Sequence, residues 1–172
     1  VILSCAWDMV RDGELSATKY IELALRAIPV ENSIATLTAL LARVQAAVSR
    51  YTAAENRAHR ASAAADRLVL AAQAAPAETD QQRLLVQALA AMAVTEDQLK
   101  IVEGIYGETS PLHGLDLDLD MRWDLLFALV AGGLAGETAI DEMRDADPSL
   151  TGEQNVQEAR ASIDSDDVRA TT

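Results

Sequence analysis

An all-α fold of stacked antiparallel helical hairpins in a curved, HEAT- or armadillo-like superhelical array is predicted by three features of this 172-residue chain. Alanine, leucine, glutamate and arginine predominate, and these residues favour helix at nearly every position. Apolar residues recur at helical spacing in successive segments, not in the alternation of a sheet. Capping residues and Gly or Pro breaks separate those segments by short links, which makes neighbouring helices antiparallel.

Residues 1–11 read as a helix stopped at Asp12-Gly13. Ser16 caps a second helix over about 17–28, ended by Pro29. Asn32 or Ser33 caps a third over 34–51, where Ile34, Leu37, Leu40, Leu41, Val44, Val48 and Tyr51 share one stripe. An alanine-rich helix follows over 54–74, with Pro76 in the loop after it. Thr79 with Gln82, and Thr95 with Gln98, fit the capping-box pattern and open helices over about 80–93 and 96–106. Gly104, Gly107 and Ser110-Pro111 break the chain again. The stretch "LDLDLDM", residues 115–121, alternates like a strand but has no pairing partner. A helix starting near Asp118 explains it better, with Trp123, Leu126, Leu129 and Val130 as its buried face and Phe127 adjoining. A short helix fits 137–145, and Thr151 with Gln154 reads as the capping box of a last helix ending near Ile163. The expected organisation is a single helical domain over 1–163, followed by a polar, frayed tail over 164–172.

Fourteen basic against 27 acidic residues give a formal charge of −13, which disfavours nucleic acid and an anionic membrane surface as partners. No run approaches the roughly 18 apolar residues of a membrane span. Cys5 stands alone, so no intrachain disulfide can form, and it reads as a small buried apolar residue. No secretory signal is evident, and a cytoplasmic setting is expected. Opening at "VILSCAWDMV" without a methionine, the chain reads as a piece of a longer one.

Catalytic and metal chemistry find little support. Asp116, Asp118 and Asp120 suggest a cation loop, but an EF-hand of that register needs Gly sixth and Glu twelfth, where Met121 and Phe127 stand. Dipole-stabilising carboxylates at a helix start are the simpler reading. His59 sits in a polar helical patch and His113 in a Gly/Pro loop, so a zinc-binding H-E-x-x-H helix is impossible within the chain. No triad, P-loop or dinucleotide pattern is present, and no catalytic, cofactor-binding or metal residue is assigned. Against the acidic background, Arg43 and Arg50 are seven residues apart, as are Arg60 and Arg67. Two helical turns place each pair on one face, where the four could receive a carboxylate or an acidic neighbour. The plainer alternative is a solvated face with local ion pairs to Glu55 and Asp66.

Two blocks carry a resemblance: "AWDMVRDGELSATKYIELAL" (6–25) and "LDLDMRWDLLFALVAGGLAGETAIDEMRDADPSLTGEQNVQEARASI" (117–163). Trp7, Met9, Arg11, Asp12, Glu14, Tyr20 and Leu23 match a W-x-M-x-R-D-x-E helix and the Y-x-x-L-like helix after it. Asp118, Asp120, Met121, Arg122, Trp123, Leu125 and Leu126 match D-x-D-[LM]-R-W-x-L-L, with Ile140, Asp141, Asp147, Thr151 and Gly152 following in order. In these features the chain resembles the C-terminal helical domain of actinobacterial zinc aminopeptidases of the aminopeptidase N family. The resemblance implies a non-catalytic domain that encloses the active-site chamber of a metallopeptidase and limits peptide access. It implies zinc in the parent enzyme's catalytic domain and none in this fragment, which is expected to be inactive alone. The implied partners are the catalytic domain of the same parent chain and a peptide substrate, with Arg122, or the Arg43, Arg50, Arg60 and Arg67 set, as candidate contacts. The alternative is a stand-alone helical scaffold that binds a partner protein.

Overall fold

A computed structural model describes residues 2–110, 112 and 115–170, with side chains through Ile163. Every regular element among them is helical: α1 (Ile2–Arg11), α2 (Ala17–Ala27), α3 (Ile34–Tyr51), α4 (Ala54–Ala74), α5 (Asp80–Ala90), α6 (Glu96–Tyr106), α7 (Leu119–Ala131), α8 (Glu137–Ala146) and α9 (Leu150–Ala170). A single 3-10 turn over Ile28–Val30 follows α2, with Pro29 inside it. The all-helical expectation holds.

Local signals set most boundaries. The hydroxyls of Ser16 and Ser33 accept from the amides of Lys19 and Thr36, capping α2 and α3. Thr95 and Gln98 form the complete reciprocal box at α6. At α5 the Thr79 hydroxyl accepts from Gln82, but the Gln82 carbonyl oxygen turns to the Glu78 amide instead. Gly13 takes φ +77° just after α1, letting the amides of Glu14 and Leu15 close back on the Met9 carbonyl. The alternating stretch before Trp123 resolves into an extended lead-in, then α7, whose N-cap Asp118 accepts from the Met121 amide at 2.9 Å. The carboxylate there caps a helix, as the sequence suggested.

Four details differ from expectation. Cys5 is exposed, because α1 buries the stripe of Ala6 and Val10, and its immediate neighbour points about 100° away. Helix α5 ends at Ala90, where the amides of Ala91 and Ala93 turn back on Gln87 and Leu89. Thr151 does not cap the last helix. Ser149 does so two residues earlier, its hydroxyl accepting from the Gly152 amide at 3.0 Å. Helical backbone in α9 also runs past Ile163 to Ala170. Pro111 and His113, which the sequence places in a breaking loop, lie outside the described residues.

The helices gather into two compact units, residues 1–94 with 112–115 and residues 95–111 with 116–172. In the first, α4 packs chiefly against α5, and α2 against α3. Ala61, Ala64, Ala65, Ala71 and Ala72 line the buried side of α4. Side chains this small let a neighbouring helix approach closely, which is how an alanine-rich segment can belong to a core. Tyr20, Leu37, Leu40, Leu68, Leu85 and Leu89 fill that core. In the second unit, α7 gives Trp123, Leu126 and Val130, α8 gives Ile140 and Met143, and α9 gives Val156 and Ala159 to one cluster. Phe127 packs beside Trp123 with ring centroids 5.9 Å apart.

Candidate functional site

The five arginines singled out by sequence occupy four different settings. Arg43 on α3 is half-buried, and its guanidinium donates to the Ser4 hydroxyl of α1 at 3.4 Å. It borders a cavity of about 610 Å³ together with Leu3, Glu31, Ala35 and Leu40. Arg60 on α4 borders a separate cavity of about 410 Å³, whose walls come from the α1–α2 turn and from the residues joining α3 to α4. The two cavities share no lining residue, so helical spacing alone does not bring Arg43 and Arg60 into one site. Arg50 and Arg67 are exposed and border neither cavity.

Charge and burial meet around Arg43. Tyr20 of α2 is fully buried, with its hydroxyl close to the Arg43 guanidinium. Burial pushes the phenol above its ordinary value, while the Arg43 guanidinium pulls the other way through its charge. Trp7 packs on Tyr20 at 5.2 Å between ring centroids and on Tyr51 at 5.5 Å, close to edge-on. This aromatic group ties α1 to α2 and α3, which gives Trp7 and Tyr20 of the first recognised block a packing role.

Arg122, in the second unit, is committed to its own loop. It pairs with Glu108 through Nη2 and donates from Nε to the Leu117 carbonyl at 3.2 Å. Glu108 has φ +57°, the left-handed region that side chains seldom adopt, so Arg122 secures a strained corner before α7. Nearby, Tyr106 has its phenol pushed up by burial, opposed by the charge of Arg122.

Another polar group is buried, and one of its two partners has no local signal in the sequence. Asp147 is 5% exposed and accepts from the Trp123 indole N–H at 2.9 Å and from the Ser149 hydroxyl at 2.6 Å. These two donors hold its carboxyl below the usual aspartate range, Ser149 contributing more. Gly152 faces it so closely that a Cβ there would lie 2.1 Å from the Asp147 carbonyl oxygen. The Asp-Pro-Ser run does signal an Asx-type turn. The indole contact, 24 positions away, does not follow from it.

Chemically, these arrangements brace helices and loops. No group of three or more His, Cys, Asp or Glu side chains among the described residues is placed to hold a metal, and His59 is exposed on α4. No helix among the described residues is long and apolar enough to cross a membrane.

The chain matches the ERAP1-like C-terminal domain over residues 1–172. It is 30% identical over 156 residues to aminopeptidase N of Streptomyces lividans, an alignment covering 91% of this chain and 18% of that protein. The chain thus spans less than a fifth of the length of this relative.

Proposed function

This chain belongs to the ERAP1-like C-terminal domain family, and from that premise we propose that residues 1–163 serve as the non-catalytic C-terminal domain of a zinc aminopeptidase. The observation that carries the reading is the family match over 1–172 combined with a relative, aminopeptidase N, far longer than the aligned part. The zinc and the bond-breaking chemistry belong to the catalytic domain of the parent chain, the proposed partner of this one.

The domain acts by enclosure. A wall of packed helices over the chamber excludes water and restricts how a peptide enters, which favours productive placement of its N-terminal end beside the metal. Arg43, Arg50, Arg60, Arg67 and Arg122 are the candidate contacts for the peptide or the catalytic domain. Arg43 and Arg60 are the better placed, since each borders a cavity, whereas Arg122 is occupied by Glu108 and Leu117.

The test uses the full-length parent enzyme and a ladder of peptides of increasing length. Replacing Arg43 and Arg60 by glutamine is expected to change the preference for peptide length while leaving hydrolysis of a single-residue aminoacyl substrate intact. An unaltered length preference removes the proposed contact. Clear turnover of an aminoacyl substrate by the pure 172-residue chain overturns the non-catalytic reading altogether.

A further inference from the structure

The 410 Å³ cavity around Arg60 has a composition unusual for this protein. Although 27 of the 172 residues are acidic, none of the residues lining the cavity is. Arg60 supplies the only formal charge there, and its Nε is buried without a hydrogen-bond partner. A buried donor of this kind, left unmatched, carries a desolvation penalty that an anionic acceptor would relieve. Asn56, one helical turn before Arg60 on α4, adds an amide, and Ser16 and Thr18 bring the first turn of α2 to the same wall. Helix α4 starts beside this space, at Ala53, which has no side chain able to cap it. Leu15 and Tyr51 make much of the remaining surface apolar.

From this juxtaposition we propose that the Arg60 cavity binds a small organic carboxylate with a short apolar body. The carboxylate accepts from the Arg60 guanidinium and the Asn56 amide, and the apolar part lies against Leu15 and Tyr51. An amino acid zwitterion is disfavoured, because its ammonium would find no acidic side chain in the lining. The volume suits a ligand of modest size within the range of small-molecule pockets. Arg60 is also one of the proposed peptide or domain contacts, and a carboxylate held here gives that contact its chemistry; binding to the 172-residue chain is read apart from any peptide hydrolysis.

The intact 172-residue chain is titrated with 4-methylpentanoate, with its neutral primary amide, and with chloride at matched ionic strength, following backbone amide shifts by NMR. The expected result is saturable shifts confined to residues 15–18 and 51–60 with the carboxylate, and affinity at least about tenfold weaker for the amide. Arg60→Gln is expected to lose the response and Arg67→Gln, on the exposed face, to keep it. Should Arg60→Gln fail to fold, the amide arm decides, since it needs no variant. Equal binding of acid and amide, a response reproduced by chloride, or shifts centred elsewhere each overturn the proposal.

Discussion

Replacing Gly152 by alanine is the sharpest probe of how the second unit is held together. The added Cβ would sit 2.1 Å from the Asp147 carbonyl oxygen, 2.7 Å from its Cγ and 2.8 Å from Oδ2. Contact with the backbone oxygen is more than 1 Å closer than the 3.4 Å at which ordinary contact begins. Relief by moving Asp147 is blocked on three sides. Its amide donates to Met143 at 2.9 Å, its carboxylate accepts from Trp123, and Ser149 grips the other oxygen. The clash must therefore displace α9 from α8 or draw Asp147 off the indole. Overpacking of a well-filled site costs about 1–3 kcal/mol, and an immovable backbone atom places this case near 3. For a chain of this size that corresponds to a fall in Tm of about 6–12 °C. The assay is thermal unfolding in a Trp7→Phe background, so that fluorescence reports Trp123 alone. Gly132→Ala is the control. Its Cβ would meet Leu99 Cδ1 at 2.4 Å, but that methyl ends a side chain that can rotate away, so the loss should be about 1 kcal/mol or less. A Tm for Gly152→Ala within a degree of the parent, or a larger loss for Gly132→Ala, would refute the packing argument.

Three other outcomes follow from the same contacts. Trp123→Phe keeps the ring but removes the indole donor, so Asp147 should titrate closer to the ordinary aspartate range. Because a depressed carboxyl pKa stabilises above the unfolded value and is lost as pH falls through the folded one, the Tm gap between variant and parent should be widest near neutrality. That gap should shrink below the ordinary aspartate range, which a Tm series against pH measures; a gap that widens in acid contradicts the assignment. Ser149→Ala should cost about 1 kcal/mol in chemical denaturation, as should Thr95→Ala at α6, whereas Thr151→Ala should be near neutral. Equal losses at 149 and 151 would mean the last helix is capped differently. Arg122→Gln should cost about 1 kcal/mol or less, since its partner Glu108 is largely exposed, yet should speed proteolysis or amide exchange between 107 and 118. Unchanged exchange there would show that Arg122 does not secure the corner.

How much of this could be read from residues alone differs between helices and site. The spans of α3, α4 and α6 agree with the sequence reading because their signals are local: a period of 3.6, a break within a few positions and, for α3 and α6, a Ser or Thr cap. The acidic alternation before Trp123 was legible for the same reason, since Asp118 acts on an amide three residues away. Where two local signals competed, proximity decided too little. Thr151 and Ser149 are both plausible caps, and Ser149 prevails because Asp147 already holds its hydroxyl in place. The arginine pairs show the limit most clearly. Their spacing correctly puts Arg43 and Arg50 on one helix and Arg60 and Arg67 on another, but the packing of α1 and α2 assigns Arg43 and Arg60 to different cavities. Sequence by itself thus determined the helices and most of their ends, which depend on backbone groups and neighbours within one turn. Tertiary structure alone decided that Asp147 meets an indole, that position 152 must lack a side chain, and that the Arg60 Nε is buried without a hydrogen-bond partner. Those outcomes depend on distances between segments far apart in the chain, and periodicity within a helix carries no information about them.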